Sequence, residues 1–339
     1  MPFKEKNIFA LLQSPGRLEI QSGPLKPEVD PEYVRLKVAY CGICGADWEM
    51  YKGHSRASYP RTLGHEYFGR IESTGEKVKG FKIGGLAAVD PNFRCGECGY
   101  CKSGASNHCV ASGVNLFHPR GFARYVDIHC SYIRKIPDYS PGYTGALIEP
   151  LSVALHAVEK AEVTETDRVL IIGSGGIGSM ISFAITTYFP ALNFDVYDVN
   201  MEKTERLASV FTPNIQNIER EPEGQKYSLI FEATGKIKGF QTAQSVVDKR
   251  GRIVIISRYH DQRIILDNTL PYKECVIKFT HLNGDGTTFI TASEMLSKEW
   301  KAAFGGLIKI GTLSELPSII EALGDSVHNK TIIKIDEER

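Results

Sequence analysis

Residues 33–40 place apolar and polar side chains on alternate positions, the period-two pattern of a strand with one buried face. Residues 69–75 read as a second short strand running into a turn. Short strands and turns continue to about residue 90, so the chain is expected to open with a β-rich domain carrying long loops, the first of them beginning at Cys41. From about residue 145 the texture changes. Apolar runs at 168–172, 195–198, 227–232, 251–257 and 275–279 read as buried strands. Helical patterns lie among them, starting at or after Pro150, from Ser179 onward, and over 203–211. Strands alternating with helices imply a parallel, doubly wound sheet. The tail, about 290–339, holds two amphipathic helical stretches and a strand at 331–335, and is expected to pack back on the first domain. The expected class is α/β: residues 1–150 and 290–339 form a discontinuous β-rich domain, and residues 151–289 form the doubly wound one.

Composition narrows the function without setting it. The chain has 339 residues, enough for two domains, with 42% hydrophobic and 24% charged residues as in ordinary globular proteins. Forty basic residues balance forty acidic ones and no basic stripe stands out, which argues against a nucleic-acid or membrane-surface partner. The N-terminal residues mix acid with base ahead of no long apolar run, so no signal peptide is expected. The apolar stretch 169–189 is interrupted by glycine, serine and threonine, and a buried strand and helix explain it better than a membrane span. Eight cysteines without a secretion signal point to a reducing compartment and to metal, and a cytoplasmic protein is expected.

Four of those cysteines, Cys95, Cys98, Cys101 and Cys109, fall within fifteen residues. Thiolates at such spacing suit a tetrahedral structural zinc, and Gly96 and Gly99 let the loop turn tightly. Disulfides fit poorly among cysteines this close in one loop. An iron–sulfur site would place its fourth cysteine after three intervening residues and ahead of a proline, whereas Cys109 comes after seven and precedes Val110.

A second group is more scattered. Cys44 sits in the 41–47 loop and His65 in Gly64-His65-Glu66, and a thiolate and an imidazole on separate loops make a plausible zinc pair. Cys41 and Cys44 also have the spacing of a redox dithiol, though no thioredoxin-like unit surrounds them. Glu149 lies in an apolar setting just before Pro150, where a buried carboxylate needs a partner such as a metal. Further on, Gly173-Ser174-Gly175-Gly176-Ile177-Gly178 follows a strand and opens a helix, with Asp198 twenty residues later at the end of a second strand. That context is the dinucleotide fingerprint. The pyrophosphate would sit on the helix N-terminus, and Asp198 would accept from ribose hydroxyls while repelling a 2′-phosphate, favouring NAD over NADP.

Together these signals resemble the zinc-dependent medium-chain alcohol/polyol dehydrogenases over nearly the whole length. The likeness rests on Gly42-Ile43-Cys44-Gly45 with Asp47, Gly64-His65-Glu66, the four-cysteine loop, Ile148-Glu149-Pro150 with Ala154-Leu155-His156-Ala157, and the glycine fingerprint. It is similar to the sorbitol, threonine and sugar-acid dehydrogenase branch, in which a glutamate replaces a cysteine ligand. The resemblance implies a GroES-like catalytic domain and a Rossmann domain. It implies a catalytic zinc on Cys44, His65 and Glu149, with Glu66 as an exchangeable neighbour, and a structural zinc on the four cysteines. Lys203, Ala233, Thr234, Ile256 and Ser257 would join the fingerprint in holding NAD. Tyr51, His54, Phe117 and His118 are substrate-pocket candidates, and relatives assemble as homodimers or homotetramers. Cys130 and Cys275 are expected as buried free thiols.

The chain departs from the family pattern where the alcohol proton leaves. Ala46 stands in place of the usual serine or threonine, and Glu49 in place of a frequent histidine. Ordered water with Glu49 or Glu66 is expected to take over. The implied activity is hydride transfer between NAD and a secondary hydroxyl of a polyol, sugar or sugar acid. A threonine-type amino-alcohol dehydrogenase shares the same ligand set, and a non-catalytic nucleotide sensor is the alternative that Ala46 favours.

Overall fold

The computed structural model describes residues 6–55, 57–111, 120–137, 142–211, 215–217, 222, 224–259, 263–296 and 304–336. The first body runs β1 (Lys6–Ser14), β2 (Arg17–Pro24), β3 (Tyr33–Gly42), α1 (Gly45–Lys52), β4 (Arg61–Thr62), β5 (Glu66–Thr74), β6 (Leu86–Val89), α2 (Gly99–Lys102), β7 (Tyr125–His129) and β8 (Ile133–Lys135). Helix α3 (Ile148–Ala161) follows. The second body alternates: β9 (Val169–Ile172), α4 (Gly176–Tyr188), β10 (Phe194–Tyr197), α5 (Met201–Val210), β11 (Ile215–Asn217), β12 (Tyr227–Glu232), α6 (Ile237–Val246), β13 (Val247–Ile255), α7 (Leu270–Lys273) and β14 (Val276–Phe279). Then come α8 (Thr287–Met295), β15 (Ile308–Thr312), α9 (Leu316–Glu321) and β16 (Lys330–Lys334).

Strand β3 is the hinge of the first body. It pairs antiparallel with β5, β7 and β16, and the large sheet runs β15-β16-β3-β5-β6-β8. Its alternation is real: Val34, Leu36 and Val38 are fully buried and pack with Leu12, Leu63, Tyr67, Phe122 and Ile333. Two strands from the tail thus complete a sheet whose other members come from the first 135 residues. β15 lies outside the sequence-based expectation. Its buried positions are Ile308 and Gly311 while Ile310 is exposed, so burial does not follow the period of two, and pairing with β16 supplies the order that local sequence does not.

The second body is a six-stranded parallel sheet in the order β11-β10-β9-β12-β13-β14. The order reverses beside β9, and ligands of such sheets bind outside the carboxyl ends of the strands at that point. Strands β9 and β12 are buried along their length, as parallel strands covered on both faces must be.

Helix α3 joins the bodies. Ile148, Leu151, Ala154, Leu155, Ala157, Val158 and Ala161 are buried, in one core with Phe68 and Leu86 of the first body and Val169, Phe183 and Phe231 of the second. At about 1.5–3 kcal/mol for each large aliphatic side chain, this burial ties the two sheets together. The helix begins at Ile148, two residues before Pro150, which occupies the first turn where its missing N–H is no loss. Helix α4 likewise begins at Gly176, ahead of the expected Ser179, because the glycine turn itself enters the helix.

Candidate active site

Cys95, Cys98, Cys101 and Cys109 converge as expected, their sulfurs all within 4.8 Å of one another. Cys95 Sγ lies 3.9 Å from Cys101 Sγ, and the Cys98 and Cys95 N–H groups donate to Cys95 Sγ and Cys109 Sγ at 3.4 Å. Backbone N–H groups pull the Cys98 thiol down to about 6, while burial pushes Cys101 up to about 11. All eight cysteines are free thiols. Four adjoining sulfurs, some stabilised as thiolates by backbone donors, suit one tetrahedral zinc. Cys130 and Cys275 are half-buried, not buried, and Cys275 Sγ donates to the Asp248 carbonyl.

The loop is braced by a network that sequence reasoning missed. Arg94 donates to Asp90 Oδ2 at 2.6 Å, Asn283 Oδ1 at 2.6 Å and Ser106 Oγ at 3.0 Å. Asn283 follows β14, so the bracing arrives from the second body. No local spacing signals a contact between positions so far apart.

The second group forms where β3, α1 and β5 meet. Ligand atoms of Cys44, His65 and Glu66 lie within 4.8 Å of one another. Cys44 caps α1, and Asp47 in the first turn accepts from the Cys44 N–H and the Gly64 N–H, both at 3.0 Å. Asp47 is fully buried, its carboxylate 3.8 Å from His65 Nδ1, so one side chain sets the positions of both loops. Gly42 cannot carry a side chain, since a Cβ there would strike Glu66 Oε2. Glu149, at the start of α3, stands outside the 4.8 Å group but acts electrostatically on His65. Burial raises its carboxyl to about 7, with His65 opposing and Glu66 adding to the rise. Burial disfavours a charged His65, yet Cys44, Asp47 and Glu149 together hold it well above the ordinary imidazole range. Thiolate, imidazole and carboxylates crowded in a buried corner are a donor set that a divalent cation neutralises.

Lys330, from β16, completes the corner and had no sequence signature. Its Nζ is 2.5 Å from Glu66 Oε2 and donates to the Ile43 carbonyl at 2.9 Å. A Cβ on Gly176 would lie 3.1 Å from Lys330 Cδ, so the lysine also abuts the glycine turn.

The turn itself leaves β9 through Gly173, at φ +99°, and enters α4. A Cβ on Gly178 would collide with the Gly173 carbonyl, which explains the third glycine of the fingerprint. Asp198 accepts from the Ser174 N–H at 2.8 Å and the Asn200 N–H at 2.9 Å, bracing the turn from the end of β10. Ala233 and Thr234 follow β12, and Ile256 and Ser257 follow β13, so all four line the carboxyl edge beside the turn. Lys203 lies in the first turn of α5, just past Asp198. Asn329 donates to the Ser174 carbonyl at 2.6 Å and the Lys203 carbonyl at 2.9 Å, another tie from the tail. Glu232 is fully buried beneath this edge, accepting from the Thr234 N–H at 2.9 Å and the Tyr259 hydroxyl at 2.5 Å.

Among the pocket candidates, Tyr51 is buried in the first-body core. Glu49 Oε2 and His54 Nδ1 are 3.0 Å apart at the end of α1. Phe117 and His118 lie outside the described residues.

Residues 30–138 match the alcohol dehydrogenase GroES-like domain. The starvation-sensing protein RspB of Escherichia coli K12 is 30% identical over 308 residues, 88% of each chain. The chain belongs to the zinc-dependent medium-chain alcohol/polyol dehydrogenase family. It is also 27% identical over 262 residues to the sorbitol dehydrogenase of Halalkalibacterium halodurans, 74% of this chain and 76% of the relative. The crystal structure of RspB from E. coli CFT073 complexed with NADH superposes with a TM-score of 0.83 at 26% identity, covering 97% of this chain and 99% of that one. The family assignment makes the protein an oxidoreductase with a GroES-like and a Rossmann fold. No helix among the described residues is long and apolar enough to cross a membrane.

Proposed function

We propose that this dehydrogenase moves a hydride between NAD and a secondary hydroxyl of a polyol, sugar or sugar acid. The observation that carries the reading is the Cys44, His65 and Glu66 corner, linked by Lys330 to the glycine turn. In this reading Cys44, His65 and Glu149 hold a catalytic zinc, Glu66 stands by as an exchangeable neighbour, and the four-cysteine loop holds a structural zinc. Bound there, zinc would acidify the substrate hydroxyl and NAD would accept the hydride. The protein's own part is placement. Asp47 fixes Cys44 and His65, and Lys330 holds Glu66 beside them. Gly173 and Ser174 shape the turn, their N–H groups held by Tyr197 and Asp198, and Gly175, Gly176, Ile177 and Gly178 at the start of α4 turn theirs to the pyrophosphate. Asp198 selects NAD over NADP by its charge, with Lys203 at the ribose.

The catalytic body in this reading is 1–150 with 290–339, and the nucleotide body is 151–289; the pairing of β16 with β3 supports it. We place the protein in the cytoplasm, as a homodimer or homotetramer. β14 supports self-assembly, since it is a sheet edge with Val276 and Phe279 exposed. The test is NADH formation from sorbitol, L-idonate, an inositol and L-threonine, with and without a zinc chelator. Turnover lost on chelation supports the reading and selects the substrate class. Silence across the panel with NAD binding intact refutes it and favours a sensing role.

A further inference from the structure

The family's usual hydroxyl for passing the substrate proton is absent at Ala46, and α1 shows what stands nearby. Ala46 is exposed, and a Cβ built on Gly45 would meet nothing within 4 Å, so the first turn of α1 faces open space. Glu49 is three residues past Ala46 and therefore on the same helical face, about 5–6 Å away between Cβ atoms. Its carboxylate is 3.0 Å from His54 Nδ1, and His54 follows Gly53, the left-handed residue that ends the helix. The His54 backbone N–H donates to the Glu49 carbonyl at 2.9 Å, so main chain and side chain fix the same pair.

We propose that Glu49 and His54 form a carboxylate–imidazole dyad that takes the substrate proton out to solvent in place of the missing hydroxyl. The inference rests on the dehydrogenase reading. Because a carboxylate only accepts, Nδ1 carries the hydrogen and Nε2 is left as a base. In the oxidation, the carbinol C–H gives its hydride to NAD and the hydroxyl oxygen gives its proton to water over Ala46. That water passes a proton to His54 Nε2, and the products are ketone, NADH and an imidazolium. Glu49 is the positioning residue that holds the ring and stabilises its charge. The side chain of His54 is 56% exposed, which lets bulk water remove the proton. The Trp48 ring lies 6.2 Å from the imidazole, nearly edge-on. Among the described residues, the other charges near the dyad are Lys52, over both Trp48 and Tyr51, and Lys236, over Trp48, which oppose the imidazolium, and Glu321, which acts on Tyr51.

The test uses the zinc-loaded full chain with NAD and whichever of sorbitol, L-idonate or L-threonine it turns over. A relay that ends on a base stops when that base already holds a proton, so wild-type kcat is expected to fall as the medium turns acid. His54→Gln should lower kcat by roughly 100-fold, the usual scale of acid–base assistance, with NAD affinity unchanged, and added imidazole should restore part of it. Glu49→Gln should lower kcat less and move the pH profile. Independently of turnover, nitrogen NMR of His54 should show the Nδ1–H tautomer, and Glu49→Gln should remove that preference. A His54→Gln enzyme with wild-type kcat and pH profile, or an Nε2–H tautomer in the wild type, overturns the dyad. A wild type that turns over nothing on the whole panel overturns the dehydrogenase reading instead.

Discussion

Lys330 Nζ lies 2.5 Å from Glu66 Oε2, with the two side chains 6% and 1% exposed. Burial works against the lysine's charge, but Glu66, Cys44 and Glu149 hold its ammonium above the ordinary range. The pair ties the last described strand to the Cys44–His65 corner and sets a fixed positive charge against the glycine turn.

Removing one partner should therefore cost more than removing both. Lys330→Met leaves a buried carboxylate alone, and the expected loss of stability is about 3–5 kcal/mol. Adding Glu66→Gln should return much of that, because an amide tolerates burial better than an unpaired charge. Urea unfolding of the two variants decides it. Equal losses would mean that the pair is already offset by solvent in the native state.

The two metal groups should separate by mutation. Wild-type protein is expected to carry about two zinc ions per chain. Cys101→Ser should remove one and lower the melting temperature, while Cys44→Ala should remove the other and abolish turnover with little change in melting. Metal analysis with calorimetry reads both. Loss of both ions from either variant would mean that the sites fold as one unit.

Asp198 braces Ser174 and Asn200, and in the proposed reading it also repels a 2′-phosphate. Asp198→Ala should weaken NAD binding about tenfold, near 1.4 kcal/mol, and strengthen NADP binding. Titration calorimetry with each dinucleotide measures both shifts. Unchanged NADP affinity would assign cofactor choice to another residue.

Glu232 gives a pH signature. Burial raises its carboxyl above the ordinary 4.5, although Thr234 and Tyr259 donate to it. A raised folded value means that the native state holds the proton when the unfolded chain has released it. The stability this contributes is complete below about 4.5 and is lost as pH rises through the folded value. The stability difference between wild type and Glu232→Gln, from urea unfolding at several pH values, should fall with rising pH across that window. A flat difference would show that the two hydrogen-bond donors cancel the burial.

Legibility in the sequence followed range. Cys95, Cys98, Cys101 and Cys109 could be read because short spacing alone forces their sulfurs together, and Gly173 to Gly178 because a tight turn between strand and helix needs those glycines. The alternation in β3 and the apolar runs of β9 and β12 likewise state which faces are buried. Helix starts were shifted by two or three residues at α3 and α4, where proline and glycine tolerate both turn and helix. Only the tertiary structure decided that Lys330 meets Glu66, that Asn329 holds Ser174 and Lys203, and that Asn283 receives Arg94. It alone buried Tyr51 in the core and joined Glu49 to His54. Local spacing and periodicity encode turns and buried faces, because those depend on neighbouring residues. Contacts between distant segments depend on how sheets and helices stack, and a lone lysine or asparagine in a strand carries no mark of the partner that packing will bring to it.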